Sequence, residues 1–189
     1  MSAVPEVVES PLRLDLGAGK NKKPGFLGVD SLKFDGVDVV HDLRTTPWPW
    51  ADNSVDEAHC SHFLEHLTNF GGANERVKFF NELYRVLKPG AGCQIIIPHW
   101  SSNRYYGDPT HKEPFSEMGF YYLSREWRKT QAPHADSEFN PDGYSCDFEA
   151  TWGYSLHQTL LTRNAEYQQH ALTFWKEAAQ DIIATVKKK

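Results

Sequence analysis

Cysteine is scarce in this chain: three residues, Cys60, Cys93 and Cys146, lie far apart among 189. An odd, scattered set makes no disulfide framework and suits a reducing compartment. No apolar run approaches the roughly 20 residues of a membrane-spanning helix, so no membrane association is expected. The opening segment, M-S-A-V-P-E-V-V-E-S-P, has neither a basic region nor a long apolar stretch, and no secretory signal is expected there. Low-complexity tracts and internal repeats are absent, which removes linker-rich and solenoid architectures. Positive charge is not in excess either. The formal net charge of −5 argues against broad binding to long nucleic acid, which asks for a basic face. A nucleotide or a small nucleic-acid substrate stays open. These absences leave a soluble, cytoplasmic protein as the expectation. With 24% charged residues and 189 positions, it can bury one well-formed core.

What is present is concentrated first in L-D-L-G-A-G-K-N-K-K-P-G-F-L-G-V-D, from Leu14 to Asp30. The pattern predicts a short strand, a glycine turn, a brief loop and a second strand ending in a carboxylate. Gly17 and Gly19 let a ligand lie directly against backbone N–H groups. An acid at the tip of the next strand can accept from the two hydroxyls of a ribose. A nucleoside-containing cofactor is therefore implied. The dinucleotide fingerprint needs a third glycine three residues after the second, and an acid about 20 residues further on. Here that position is Lys22, and Asp30 arrives too early. Pro24 also prevents a long helix from following the turn directly, so the helix N-terminus that would receive a pyrophosphate is missing. A cofactor without phosphates, such as an adenosyl group joined to an amino acid, fits better.

Apolar runs separated by turn signals predict strands over 12–16, 26–30, 37–41, 55–60 and 94–97. Their composition is that of strands covered on both faces. Between the last two, Asn74 is a candidate N-cap for a helix whose Val77, Phe80, Leu83, Tyr84 and Leu87 share a face, with Pro89 and Gly90 stopping it. This alternation predicts an α/β fold with a Rossmann-like, doubly wound, mostly parallel sheet and right-handed crossovers. After the fifth strand, residues 98–145 are expected to form a loop and helix insertion on the substrate side. It would hold a short helix over 116–128 and a loop from Thr130 to Tyr144 able to act as a lid. From Cys146 to Leu156 apolar residues alternate with polar ones, as in an antiparallel edge strand. Asn164 would then cap a C-terminal helix over 164–187. Its apolar stripe would run through Ala171, Leu172, Phe174, Trp175, Ala178, Ala179, Ile182, Ile183 and Val186, with Lys187–Lys189 as a solvated end. All of this is expected in a single domain, 1–189.

In such a sheet ligands bind beyond the carboxyl ends of the strands. Gly17–Lys20, Asp30, His41–Leu43, Ser61–His62 and Pro98–Trp100 would meet there. Asp42 suits the exocyclic amine of an adenine and Leu43 its ring, although Asp42 also reads as a turn cap near Pro47. With these segments in register, the sequence resembles the class I S-adenosylmethionine-dependent methyltransferases, especially small ones with a short first loop. The matching stretches are L-D-L-G-A-G, the acid Asp30, V-V-H-D-L, P-W-P-W-A-D-N-S-V-D-E-A, S-H-F-L-E-H-L and F-F-N-E-L-Y-R-V-L-K-P-G-A-G-C-Q-I-I-I-P. They cover residues 12 to 98. The resemblance implies S-adenosyl-L-methionine as cofactor and methyl transfer to an unidentified small-molecule or nucleotide-like acceptor. Carried over by position, Asp15, Gly17, Ala18 and Gly19 would line the methionine part, with Lys20 at its carboxylate. Asp30 would hold the ribose, Asp42 and Leu43 the adenine, and Ser61 or His62 would pass close to the sulfonium. The loop between Gly19 and Asp30 is shorter than the family pattern, so the usual first helix is expected to be missing.

The stretch P-H-W-S-S-N-R-Y-Y-G-D-P-T-H-K-E-P-F follows the fifth strand and would lie over the reactive end of the cofactor. Methyl transfer needs alignment, exclusion of water and sometimes a base. His99, Asp108 and His111 are the candidate bases, while Trp100, Tyr105 and Tyr106 could wall an acceptor. The same aromatics also read as local core, and a histidine in D-P-T-H also reads as structural. Two other functions compete. One is a cofactor-binding protein with a non-methylating reaction or a sensor role. The other is a zinc peptidase using His62, Glu65 and His66, since H-F-L-E-H has the H-x-x-E-H form and two histidines four apart on a helix can share a metal. Leu64 and Leu67 suggest instead that this segment packs by an apolar side, and no third ligand has a telling spacing. No metal is therefore expected, and the oligomeric state is left open.

Overall fold

The computed structural model describes residues 10–189, so the N-terminal reading above falls almost wholly on residues outside it. Its strands are β1 (Arg13–Leu16), β2 (Leu27–Asp30), β3 (Val39–Val40), β4 (Val55–Ser61), β5 (Leu87–Pro98), β6 (Phe148–Leu156) and β7 (Ala179–Lys188). Its helices are α1 (Glu75–Val86), α2 (Asn103–Tyr106), α3 (Glu117–Tyr121), α4 (Arg125–Gln131) and α5 (Ala165–Phe174). Short 3-10 turns occur at Leu64–His66, Phe70–Gly72, Pro133–Ala135 and Gln158–Leu160. The seven strands form one sheet in the order β3-β2-β1-β4-β5-β7-β6. β1 to β5 are parallel, as the strand–helix alternation requires. The expected edge strand is β6, paired antiparallel to β7, and β7 is itself antiparallel to β5.

Most crossovers lack their helix. Among the described residues only the β4–β5 connection carries a full one, α1, and the β1–β2, β2–β3 and β3–β4 connections are loops. That shapes the sheet. On one face Leu14, Leu16, Ala58, Cys60, Cys93, Ile95 and Ile97 are buried against Phe79, Phe80, Leu83 and Val86 of α1. Phe79 and Phe80 are fully buried, and truncating either to alanine would cost about 3–5 kcal/mol. The other face is polar. Asp15 lies beside His59 in register, with Oδ1 to Nδ1 at 2.7 Å, and Lys23 Nζ reaches across to Gln94 Oε1 at 3.2 Å. Strands covered on both faces were expected; β4 instead alternates buried and partly exposed residues, because no helix among the described residues closes the second face.

Two helical expectations are corrected. The C-terminal helix ends at Phe174, and residues 179–188 are β7. Asn164 does cap α5, its Oδ1 accepting from the Tyr167 N–H at 2.9 Å. Beyond it, Ile182, Ala184 and Val186 are buried while Ile183, Thr185 and Lys187 are exposed, a period of two in β-branched residues. The terminal lysines are not a solvated helix end. Lys188 Nζ donates to Leu87 O at 2.9 Å, to Tyr84 O at 2.5 Å and to Asn53 Oδ1 at 2.8 Å. It thereby satisfies carbonyls at the C-terminal end of α1, and burial pushes its pKa down. The expected 116–128 helix breaks into α3 and α4, with Ser124 Oγ accepting from Trp127 N at the start of the second.

At α1, Asn74 takes the N-cap position with φ +48°, but its side chain makes no capping bond. Asn69 Oδ1 accepts from Arg76 N instead, at 3.1 Å. The helix stops at Val86 and Leu87 opens β5 directly, ahead of Pro89 and Gly90. The Thr130–Tyr144 loop is not a lid over the carboxyl ends of the strands. It is tied to a fully buried Arg128, whose guanidinium donates to Asp136 Oδ2 at 2.8 Å and to Tyr122 O and Cys146 O at 2.7 Å. Asn81 of α1 fastens its far end through Gly143 O and Ser145 N. No helix among the described residues is long and apolar enough to cross a membrane.

Candidate active site

Beyond the carboxyl ends of β1 to β4 lies a cleft of about 530 Å3, a volume suited to a small molecule. Its floor is the glycine turn. Gly17 has φ +75° and donates its N–H to Val29 O at 2.9 Å. A Cβ there would come within 2.6 Å of the Phe63 ring, so only glycine lets Phe63 pack onto the turn. Gly19, with φ +52°, turns its N–H to Asp30 Oδ2 at 2.9 Å, and Leu32 N donates to Asp30 Oδ1 at 3.0 Å. A carboxylate has about four acceptor sites, so Asp30 keeps capacity for a ligand's hydroxyls. This cradle fits an adenosyl cofactor: bare backbone beside a carboxylate, with no phosphate site.

At the next strand end Asp42, Leu43 and Arg44 also line the cleft. Arg44 forms a two-pronged pair with Asp42, Nε to Oδ1 and Nη2 to Oδ2 both at 2.9 Å, which holds the Asp42 carboxyl below its ordinary range. Arg44 N also donates to Asp42 Oδ1 at 3.0 Å. Asp42 therefore does serve as a turn cap while facing the cleft. Leu43 is nearly buried, its carbonyl accepting from Trp48 Nε1 at 3.0 Å. Leu32 and Phe34 add apolar surface.

The opposite wall comes from the segment after β4, where His62, Phe63, His66 and Leu67 line the cleft. His62 sits at φ +53°, a conformation that non-glycine residues rarely adopt. Its Nδ1 lies 3.5 Å from Glu65 Oε1, and that carboxylate raises the imidazole pKa. The Leu64–His66 turn is 3-10 rather than α, so His62 and His66 do not share an α-helical face, and the zinc-peptidase arrangement is absent. Behind this wall the Asp108–Glu113 segment is pinned: Lys112 N donates to Glu65 O at 2.8 Å. Arg76 bridges Leu64 O at 3.2 Å and Pro114 O at 2.9 Å.

Gly17, Gly19, Asp30, Asp42, Leu43 and His62 thus meet in one cleft. Others go elsewhere. Asp15 turns to the polar sheet face, accepting from Lys23 N at 2.7 Å and pairing with His59. Ala18 is nearly buried in the turn, Lys20 lies over the Phe34 ring at 5.6 Å, and Ser61 ends β4 outside the lining. His99 is buried, with Nδ1 2.9 Å from Ser101 Oγ and Nε2 3.2 Å from Glu117 Oε1. Trp100 Nε1 and Tyr154 Oη bond the same Glu117 carboxylate, whose pKa falls to about 2, first through the His99 bond. His111 does approach the cleft, its ring centroid 4.9 Å from that of His66, with Tyr105 packed on its other side at 5.3 Å. Asp108 Oδ2 is 3.9 Å from His111 Nε2, and its carboxylate caps the turn through Thr110 N and Oγ1. Tyr106 is exposed beside Tyr105. Sequence reasoning gave no cleft role to Phe34, Arg44, Phe63 or Leu67, and considered His66 only as a metal ligand. The S-H-F-L-E-H-L run directly after β4 was the available signal. A second concavity of about 550 Å3, between α1, α3 and the 134–144 loop, contains none of the candidate site residues.

Residues 14–95 match the family model described as a methyltransferase domain. No curated protein matches the sequence. Among solved structures, a SAM-dependent methyltransferase from Archaeoglobus fulgidus superposes with TM-score 0.61 at 19% identity, over 94% of this chain and 86% of that one. A geranyl diphosphate C-methyltransferase from Streptomyces coelicolor, solved with Mg2+, geranyl diphosphate and S-adenosyl-L-homocysteine, gives 0.54 at 14% identity over 95% and 73%. A possible histamine N-methyltransferase from Thermotoga maritima gives 0.53 at 15% identity over 97% and 84%. At such identities the likeness is one of fold.

Proposed function

We propose, from the methyltransferase-domain match over residues 14–95, that the chain is a class I S-adenosylmethionine-dependent methyltransferase and that the cleft beside Gly17 and Asp30 transfers a methyl group to a small or nucleotide-like acceptor. S-adenosyl-L-methionine is the cofactor of this class; when bound it supplies a methyl group activated by a sulfonium. The chain's own part is positioning. Gly17 and Gly19 offer bare backbone along the methionine portion, and Asp30 accepts from the ribose hydroxyls. Asp42 and Leu43 take the edge and face of the adenine. His62 and His66 then border the reacting end, and the acceptor approaches over the Asp108–His111 segment, where alignment within contact distance supplies most of the rate. Asp108 and His111 are the groups placed to accept a proton; His99, held by Ser101 and Glu117, serves the scaffold.

The observation that carries this reading is the meeting of Gly17, Gly19, Asp30, Asp42 and Leu43 in one cleft. Incubation with cofactor labelled on its methyl carbon tests it. Label recovered on a nucleotide or small-metabolite acceptor is the expected result. Cofactor binding without transfer to any acceptor class would support a sensor role instead. We further place the protein in the reducing cytoplasm, in keeping with its three free, buried thiols.

A further inference from the structure

Behind the histidine wall, one ligand-capable atom each from Glu65, His66 and His111 lie within 4.8 Å of one another. Glu65 is 2% exposed, and among the described residues neither of its carboxylate oxygens has a hydrogen-bond partner, His62 Nδ1 standing off at 3.5 Å from Oε1. A buried carboxylate in that state is costly unless a cation meets it. His66 Nδ1 lies 3.2 Å from Thr110 O, and His111 Nδ1 lies 2.6 Å from Tyr105 O. A carbonyl only accepts, so these partners place a proton on Nδ1 of each ring, and the neutral form of such a ring keeps its lone pair on Nε2. His111 Nε2 faces Glu65 Oε1 at 3.9 Å. A histidine oriented by an Nδ1–H bond to a carbonyl, with Nε2 facing a carboxylate, has the arrangement of a metal ligand and its outer support.

We propose that Glu65, His66 and His111 bind a first-row divalent cation of the zinc or iron(II) kind. Two imidazoles and one carboxylate suit such a metal, whereas Mg2+ prefers an all-oxygen set. The ligands stand on supports already made: Lys112 N holds the Glu65 carbonyl at 2.8 Å, and Arg76 ties the Leu64 and Pro114 carbonyls together. The site differs from the H-x-x-E-H reading of the sequence. His62 stands outside it, and the third ligand comes from D-P-T-H. Because His66 also borders the cleft, open positions on the metal would face a hydroxyl, carboxylate or phosphate of the acceptor. Asp108 would remain the proton acceptor.

The test uses the full chain, stripped with chelator and titrated with Co2+, whose visible spectrum reports coordination. One Co2+ per chain, displaced by Zn2+ but not by Mg2+, is expected. His66→Ala and His111→Ala should each weaken binding by about 100-fold, and Glu65→Gln by at least about tenfold. His134→Ala, outside the cluster, should leave the stoichiometry at one. Circular dichroism checks the fold of every variant; should Glu65→Gln fail to fold, the two histidine variants carry the test. Absence of Co2+ binding, or equal affinity in wild type and both histidine variants, overturns the proposal. Cofactor affinity of the stripped protein is measured alongside, so failure of the metal site and failure of the methyltransferase reading are told apart.

Discussion

The two walls of the cleft are built on different principles. The glycine wall, from Gly17 to Leu43, is mostly backbone: two positive-φ glycines, one carboxylate held by adjacent N–H groups, and a turn capped by its own aspartate. The histidine wall, from His62 to Leu67 with His111 behind it, is mostly side chain, brought together by long-range bonds through Lys112 and Arg76. Local backbone demands fix the first, and the second exists only once the chain has folded. In the proposed function the cofactor rests on the first and the acceptor meets the second.

Breaking the glycine wall should have the largest effect. Gly17→Val places a Cβ where the Phe63 ring lies, 2.6 Å away, on a backbone with φ +75°. The overlap and the left-handed backbone together cost about 2–4 kcal/mol. Thermal unfolding should move down by roughly 5–15 °C, and calorimetry should find no cofactor binding. A folded Gly17→Val protein with normal affinity would remove the turn from the site.

Glu117→Gln separates scaffold from site. The Glu117 pKa, about 2 instead of the ordinary 4.5, is lowered in the folded state. Its ionised form therefore contributes stability that is fully present above about pH 4.5 and lost as pH falls through about 2. The variant should be less stable than wild type at neutral pH, and the gap should close towards pH 2 in denaturant titrations. Cofactor affinity should stay unchanged; a large loss would return His99 and Trp100 to the site.

Arg44→Ala should act least. The Arg44 and Asp42 side chains are 46% and 38% exposed, so their pair contributes about 0.2–1 kcal/mol. Cofactor affinity should change by less than about fivefold, measured by calorimetry. A larger change would make Arg44 a direct contact on the glycine wall.

The same division explains what could be read in advance. Gly17, Gly19 and Asp30 lie in one short stretch whose turn chemistry is local, and they share the cleft. α1 and β6 were legible from periodicity, and Asn164 from its capping chemistry. β7 was not, because Ala178, Ala179, Ile182, Ile183 and Val186 satisfy helical spacing, while Ile182, Ala184 and Val186 in the same stretch satisfy strand alternation. Pairing with β5 and β6 decided between them. Asp15 was misjudged for a related reason. Its place in the glycine motif suggested the cofactor, whereas strand alternation turns it to His59 on the polar face. The contact of His66 with His111 joins distant segments through Thr110 and Tyr105, and no local pattern announces it.

The central claim, that this cleft holds S-adenosyl-L-methionine through the carboxylate at the end of β2, is tested most directly by titrating the cofactor into wild type and Asp30→Ala in a calorimeter. One site per chain in the wild type is expected, weakened in the variant by roughly 10- to 100-fold for the loss of charge-assisted bonds of about 1.5–3 kcal/mol. Equal affinity in the two proteins, or no binding to wild type, would contradict it.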